Sequence, residues 1–368
     1  MNFSGVNCAK FLRNRLIQIY IPVVIISVIP IVTLFSVSSS YEQTDSNTKY
    51  KNRKYSANSE GDEFAMYLAS KYSPDANYIL HKLKTIKGLT FMKDGKIPDY
   101  WFSFGKNKTG TLSSMQVIVH EGNHIITSGL STGTFSGMLY HTDVSKAVLV
   151  QRTTTFPAKE MRFMLPEFIT GESKNVEGPG SNYYEIYVYP SNLNPSTQVY
   201  GIYGLLDEFN SYYHGKRATL DMFTYYKREA PHENSQIRWA NFLQTMYSNY
   251  LAYYEFKVYI LTYLIYAKEK HLEIYNNIIE NKPFVYAFLT IDKLHQNLKK
   301  EFHKIEKDLL TDLQKQGEDI SRPAEDRIKI GNEYAFHDRH KTERYIKVLE
   351  SKKYVQMENF LRKQVTQR

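Results

Sequence analysis

Apolar and polar positions divide the chain into zones of different character. Residues 16–37 form an uncharged apolar run, and residues 38–62 contain Ser, Asn, Lys, Asp and Glu with almost no aliphatic side chains. The first zone is typical of a membrane or signal segment, and the second predicts a solvated linker. From residue 63 onward, apolar positions recur at helical or strand spacing. We therefore expect the folded part of the chain to begin near residue 63.

Helical spacing predicts three helices in the first part of the folded region. Two are expected at residues 63–72 and 78–85, with Pro74 breaking the chain between them. The third is expected at residues 113–128. After residue 130 the signals change, and strands are expected at residues 147–150 and 183–189.

Long helical periods return from residue 201. Helices are expected at residues 201–226, 235–268, 272–280, 289–316 and 342–363. The last two are rich in Lys and Glu at helical spacing, which indicates a solvated face. The order of elements predicts an α+β fold, with one domain at residues 63–230 and a predominantly helical region at residues 231–368.

Basic residues precede the apolar run and set its expected orientation. Lys10, Arg13 and Arg15 lie in the segment 1–15, which we therefore expect on the cytoplasmic side, with the remainder of the chain outside. The run at 16–37 would extend about 33 Å as a helix, enough for the ~30 Å hydrocarbon layer. It is longer than the apolar core of an ordinary signal peptide, so a single-pass membrane anchor is predicted. Small residues at its end offer a cleavage site, which would give a secreted form instead.

Net charge and cysteine content exclude several classes of function. The formal net charge is +9, but no aromatic–basic RNA motif and no basic DNA-reading helix is present, so no nucleic-acid partner is expected. Attraction to an anionic membrane or wall surface explains the charge equally well. The single cysteine, Cys8, precedes the apolar run, so the folded region can contain neither a disulfide nor a cysteine-based metal site.

One pentapeptide carries a recognisable chemistry. The segment His120-Glu121-Gly122-Asn123-His124 has the form H-E-x-x-H. On a helix this spacing places two imidazoles one turn apart on one face, with a carboxylate beside them. Such a set can bind a zinc ion and take a proton from its water. The sequence therefore predicts a metal site with His120 and His124 as ligands.

The motif lies in the helix expected at residues 113–128. Ser113 or Ser114 is the expected N-cap, and Gly129 the expected C-terminal stop. Gly122 costs up to ~1 kcal/mol of helix stability relative to Ala, and would let another backbone come close. Apolar residues around the motif indicate burial, where unpaired His and Glu would be costly. The alternative is a solvated helix surface that carries His and Glu by chance.

A catalytic zinc ion normally takes three protein ligands, so a third must come from elsewhere in the chain. The metzincin continuation of the motif is excluded, because Thr127 and Leu130 stand where that class needs Gly and His. The third ligand is then expected on a later helix.

Asp207 and Glu208 form a charged pair among apolar residues of the helix expected at 201–226. Buried carboxylates are rare unless they are paired or bound to a metal. Glu208 is the expected third ligand, because Ser211 and Tyr212 share its face of the helix. Asp207 could instead orient an imidazole from behind, and the choice between the two acids stays open.

With these residues the chain resembles a zincin metallopeptidase of the gluzincin type. The resemblance rests on His120, Glu121, His124 and Glu208. It implies a zincin-like catalytic domain at residues 63–230, with Zn²⁺ as cofactor and a peptide or protein as substrate. It also implies that Glu121 is the general base for a zinc-activated water and then passes the proton to the leaving amine.

Two further side chains are candidate donors to the oxyanion of such a reaction. Tyr212 lies one turn after Glu208, and His214 follows two residues later, where it projects from a different face of the helix. Both could instead simply pack in a Tyr-rich protein. Glu208 itself could belong to a buried ion pair with Lys216 or Arg217.

Two other functions stay open from the sequence. The first is a non-catalytic surface or cell-wall binding protein with a structural or vestigial zinc site. The second is a wall- or partner-binding module, driven by the basic and Tyr-rich helical half, in which the motif is accidental.

Overall fold

The computed structural model describes residues 60–84, 96–129, 137–171, 183–230, 234–248 and 250–366. Over these residues the protein is mixed but mostly helical, with thirteen α-helices and two small antiparallel sheets. The predicted combination of helices and sheets is confirmed at this level. The predicted anchor at 16–37 and all but the end of the predicted linker at 38–62 lie outside the described residues. None of the described helices combines the length and the apolar character that a membrane crossing requires.

The first two helices are α1 (Asp62–Tyr72) and α2 (Pro74–Leu83), so the predicted helix pair is confirmed. Ser73 lies between them with an extended backbone, and its hydroxyl accepts a hydrogen bond from the Ala76 amide at 3.3 Å. Pro74 occupies the first position of α2, where its fixed φ suits a helix and its missing N–H is not needed. The second helix therefore begins at the proline that was expected only to separate the two.

Helix α3 (Lys108–Gly129) carries the H-E-x-x-H motif and ends at the predicted glycine. The serine N-cap predicted at residue 113 or 114 is wrong. The Asn107 side chain caps the helix instead, accepting a hydrogen bond from the Gly110 amide at 2.7 Å. Ser114 lies buried inside the helix and donates its hydroxyl to the Gly110 carbonyl at 2.7 Å, so it has no role at the helix end.

Strands β1 (Gly137–Asp143) and β2 (Lys146–Gln151) form an antiparallel hairpin, and the strand predicted at 147–150 is confirmed. The strand predicted at residues 183–189 is wrong. Residues Tyr184–Val188 form a π-helical turn, in which the Tyr189 amide donates to the Tyr184 carbonyl at 2.8 Å. Alternating large side chains indicate a strand only where a second strand pairs with them, and here helices surround the segment.

The remaining helices follow in chain order. They are α4 (Glu167–Thr170), α5 (Ser196–Val199), α6 (Ile202–Asp221), α7 (Phe223–Arg228), α8 (Ser235–Ser248), α9 (Tyr250–Lys270), α10 (Leu272–Glu280), α11 (Lys282–Lys315), α12 (Arg339–Glu350) and α13 (Lys352–Thr366). The helix predicted at 272–280 is confirmed. Those predicted at 201–226, 235–268 and 342–363 are each two helices. The helix predicted at 289–316 begins earlier, because the Asn281 side chain caps it by accepting from the Phe284 amide.

A three-stranded antiparallel sheet lies between α11 and α12. Its strands are β3 (Ile320–Ala324), β4 (Arg327–Ile330) and β5 (Glu333–Phe336), in the order β3-β4-β5. The sequence pattern did not predict it, because strands of four or five residues with several charges leave little alternation to detect.

Helix α6 is the centre of the fold. Nearly all of its side chains are buried, and it packs against α3, α9 and α11. Two clusters of buried apolar side chains meet at this helix, one with α9 and the β1–β2 hairpin and the other with α1, α2 and α3. Both clusters combine residues from before and after the domain boundary predicted at residue 230. Among the described elements, α3 and α6 share the most extensive helix–helix contact.

Candidate metal centre

A glycine allows α3 and α6 to approach each other closely. A Cβ atom at Gly215 would lie 2.6 Å from the Gln116 backbone carbonyl oxygen and 3.4 Å from the Cβ of His120. Gly122, within the motif, faces the side chains of Ile79 and Leu83 on α2 rather than the backbone contact expected from the sequence. The residue that brings the two helices together at the site is therefore Gly215.

His120 and His124 lie one turn apart on α3, as their spacing predicted. Their Nε2 atoms are 2.9 Å apart, and the two rings are nearly perpendicular. Both rings thus direct the same nitrogen toward one point. His120 is buried, and His124 is 21% exposed, so the point they share lies close to the protein surface.

Glu208, on the facing side of α6, completes the group. Its Oε2 atom lies 3.3 Å from Nε2 of His124 and 3.6 Å from Nε2 of His120. One ligand atom from each of these three residues lies within 4.8 Å of the other two, so the group could hold a metal ion. The structure therefore brings together the three residues that the sequence singled out as ligands.

The donor atoms of this group suit a divalent cation. Glu208 is buried, and its Oε2 atom has no hydrogen-bond partner of good geometry, although two imidazole nitrogens face it. A buried acceptor without a donor is costly, and so are facing nitrogen lone pairs. A cation between the three atoms would satisfy all of them at once. Two imidazoles and a carboxylate are also ligands that zinc accepts.

Asp207 supports the centre from behind. Its Oδ2 atom lies 2.8 Å from Nδ1 of His124, and the Ser211 hydroxyl lies 3.2 Å from the same nitrogen. The Asn123 amide in turn donates to the Ser211 hydroxyl at 2.9 Å. These contacts fix the ring so that Nε2 faces Glu208, which is the orienting contact that the sequence suggested for Asp207.

The charges at the centre depend strongly on one another. Burial opposes protonation of His124, but the carboxylates of Asp207 and Glu208 outweigh it and hold the pKa of His124 well above its ordinary value. Burial likewise opposes ionisation of Glu208, but His124 and His120 outweigh it and lower the pKa of Glu208 to about 2. Burial raises the pKa of Asp207 despite the nearby imidazole. Without a cation, a proton on His124 therefore offsets part of the negative charge of the two acids, and a metal ion would replace that proton.

Glu121 lies beside the ligands, half-buried on α3. Burial raises the pKa of Tyr100, and the negative charge of Glu121 raises it further. The same charge contributes to the raised pKa of Tyr187, after burial and the charge of Glu208. The carboxylate of Glu121 therefore lies close enough to the phenols of Tyr100 and Tyr187 for its charge to affect both.

The two candidate oxyanion donors are placed very differently. The ring of Tyr212 lies edge-on to His120, with centroids 4.4 Å apart, and its buried hydroxyl lies 3.1 Å from that of Tyr187. His214 points away: Nδ1 lies 3.2 Å from Asp75, and Nε2 donates to the His141 carbonyl at 2.9 Å. Both nitrogens of His214 are thus engaged at the α2 and β1 side of α6. His214 projects from a different face of the helix, as expected, and the donor role suggested for it at the ligand group is wrong because both its nitrogens are engaged elsewhere.

The alternative ion pair for Glu208 is also wrong. Lys216 donates to the carbonyls of Thr245 and Met246 at the end of α8. Arg217 pairs with Asp221 and Glu301. Among the described residues, the partners of the Glu208 carboxylate are therefore the two imidazoles.

Tyr187 is the residue at this site that the sequence interpretation missed. It was assigned to a strand, whereas the π-helical turn buries it against Tyr212. The position of its side chain depends on contacts with residues distant in sequence, and no local sequence motif predicts that position.

Comparison with known protein families, with curated proteins and with solved structures finds no match to this chain.

Proposed function

We propose that the protein is an exported zinc-dependent metallopeptidase. The observation that supports this most is the convergence of His120, His124 and Glu208, with Asp207 fixing the ring of His124. Glu121 lies next to His120, as a general base beside a metal ligand should. The zincin resemblance of the motif and the proposed zinc ion agree with this arrangement.

The reaction we propose is hydrolysis of a peptide bond in a peptide or protein. A zinc ion at the site would polarise the scissile carbonyl and make a water molecule more acidic. Glu121 accepts the proton of the attacking water and returns it to the leaving amine. Glu208 and the two imidazoles would hold the cation, and Asp207 would keep Nε2 of His124 directed at it.

The proposed location follows from the sequence. The apolar run at 16–37, with basic residues ahead of it, favours a membrane anchor with the catalytic part outside the cell, or a secreted form after cleavage. An extracytoplasmic enzyme would meet peptides and proteins at the membrane or wall surface, to which its positive net charge attracts it.

The test compares zinc content with hydrolysis in the full-length chain. Zinc per chain is counted by metal analysis, and cleavage is followed by mass spectrometry on a peptide library. Glu121→Gln should keep zinc and lose hydrolysis by a factor of roughly 10² or more. His124→Ala should lose both. Glu273→Gln, on the exposed face of α10, removes a carboxylate far from the motif in sequence and should change neither.

The possible outcomes separate the proposal from its alternatives. Full zinc retention by His124→Ala would refute the ligand assignment. Zinc in the wild type with no cleavage of any library peptide would favour the non-catalytic binding protein. Equal cleavage by wild type and Glu121→Gln would refute Glu121 as the base, even with zinc in place.

A further inference from the structure

The two histidine ligands are oriented by different means. Contacts with the Asp207 carboxylate and the Ser211 hydroxyl fix Nδ1 of His124. Within the described part of the chain, no hydrogen bond holds Nδ1 of His120. Metal-bound histidines usually need such an orienting contact, because a rotated ring misdirects the ligating nitrogen. The contact that can orient the His120 ring is the edge-on ring of Tyr212, at a centroid distance of 4.4 Å and an interplanar angle of 65°.

The ring of Tyr212 is itself fixed by a partner. Its hydroxyl lies 3.1 Å from the hydroxyl of Tyr187, and both phenols are buried. Tyr183 and Phe256 pack around the Tyr212 ring at centroid distances of 5.3 and 5.2 Å. A buried hydroxyl without a partner is costly, so the Tyr187 hydroxyl favours one position of the Tyr212 ring over others. Burial raises the pKa of both phenols well above the ordinary value, so each keeps its proton.

The backbone of Tyr187 is anchored in turn. Its carbonyl accepts hydrogen bonds from the Thr197 hydroxyl at 2.5 Å and from the Gln198 amide at 2.8 Å. The Gln198 amide also donates to the Val188 carbonyl at 3.2 Å. Thr197 and Gln198 are buried, so these bonds hold the π-helical turn in one place. Such turns occur frequently at functional sites, where they redirect a side chain.

We propose that Tyr187 is a positioning residue of the metal centre, acting through Tyr212 on the imidazole of His120. The Thr197 and Gln198 side chains fix the turn, the Tyr187 hydroxyl fixes the Tyr212 ring, and that ring holds Nε2 of His120 toward the cation. This role rests on the proposed zinc centre. It differs from the oxyanion role suggested for Tyr212 by the sequence, because it affects metal binding rather than only the chemical step.

The test measures metal binding in Tyr→Phe variants of the full-length chain. Tyr187→Phe and Tyr212→Phe each remove one oxygen and keep the ring. Zinc affinity is measured by competition with a chelator, and the ligand geometry by the visible absorption of the Co²⁺-substituted protein. Each variant should bind zinc about tenfold more weakly or worse, with a shifted Co²⁺ spectrum. The double variant should be no weaker than either single one, since both remove the same hydrogen bond.

A matched control and a second variant make the result specific. Tyr189→Phe lies at the end of the same turn, but its side chain is 52% exposed, and it should change neither readout. Thr197→Val removes the hydroxyl that holds the Tyr187 carbonyl, and it should weaken zinc binding in the same direction. It keeps the inference testable if Tyr187→Phe does not fold.

The outcomes distinguish this inference from the proposed function. Wild-type zinc affinity and Co²⁺ spectrum in Tyr187→Phe would overturn the positioning role and leave the metal centre intact. Unchanged zinc affinity in Tyr212→Phe with a lower kcat would assign that hydroxyl to the chemical step and also overturn it. A wild-type chain that takes up no zinc would overturn both. If Tyr187→Phe binds zinc more weakly and the wild type binds zinc but cleaves no peptide, the positioning role is supported and only the peptidase function is refuted.

Discussion

Gly215→Ala is the substitution that most directly tests how the site is assembled. The added methyl group would lie 2.6 Å from the Gln116 carbonyl oxygen and 3.4 Å from the Cβ of His120. The carbonyl belongs to helix backbone and cannot rotate away. An ordinary contact needs roughly 0.5–1 Å more, so α3 and α6 must separate locally by a similar distance. His120 lies at this contact, and Glu208 lies across from it, so the separation opens the ligand group itself.

Two opposing terms set the magnitude for stability. Overpacking a close helix contact costs about 1–3 kcal/mol, whereas replacing Gly by Ala inside a helix gains up to about 1 kcal/mol. The net destabilisation of Gly215→Ala is therefore about 0–3 kcal/mol, and the chain should still fold. The gain in helix stability does not restore the positions of the metal ligands, so zinc affinity has no compensating term. Because ligands must be held within about 0.5 Å of the productive geometry, we expect zinc affinity to fall tenfold or more.

Gly122→Ala is the matched control, since Gly122 lies in the same motif. Its added methyl group would meet side chains of α2, Ile79 Cγ2 at 2.9 Å and Leu83 Cδ1 at 3.0 Å, so α2 would have to yield and the contact between α3 and α6 would not. The assay is chelator competition for zinc affinity, with urea unfolding of the metal-free protein for stability. Gly122→Ala should keep zinc affinity within a few-fold of the wild type. The reasoning would be refuted if Gly215→Ala bound zinc as tightly as Gly122→Ala does.

Three further predictions concern charge. Asp207→Asn should weaken zinc binding about 10–100-fold, and unchanged affinity in chelator competition would contradict its orienting role. Because the pKa of His124 is raised without a cation and a protonated imidazole cannot bind metal, zinc affinity should still rise with pH above about 6.5; a titration that is flat from there would contradict this. Asp292→Ala should destabilise the protein by about 3–5 kcal/mol in urea unfolding, because it leaves buried Lys257 without the carboxylate now 2.9 Å away. A loss below about 1 kcal/mol would show that Glu358, at 3.0 Å from Lys257, suffices alone.

Helix positions could be predicted from the sequence, but the residues at which several helices begin could not. The apolar residues of α3 and α6 mark both as buried helices, and burial is what stabilises most helices. The ends depend on single side-chain contacts, such as Asn107 at the start of α3 and Asn281 at the start of α11. The turn at Tyr184–Val188 has the composition of a strand, and only its surroundings of helices rather than strands decide its conformation.

The ligand group was predictable because two different signals agreed. The spacing of His120 and His124 is local, and helix geometry alone places them together. Glu208 is distant in sequence, but a carboxylate among apolar residues is costly to bury unless it is paired or binds a metal. His214 failed the same test of geometry: six residues at about 100° each turn it about 240° from Glu208 around the helix. Tyr187 had no signal, because its place depends on packing between segments.

The adjacent acids Asp207 and Glu208 have distinct roles because an imidazole has two different nitrogens. Neighbouring positions on α6 project about 100° apart, so both acids can reach the same ring from two sides. Oδ2 of Asp207 lies 2.8 Å from Nδ1 of His124. The longer Glu208 side chain places its Oε2 atom near the Nε2 atoms of both histidines. One acid thus fixes the ring, and the other offers an oxygen to a cation that the group could hold. Neither can replace the other, since moving Glu208 to the back of the ring would leave the Nε2 atoms without a carboxylate.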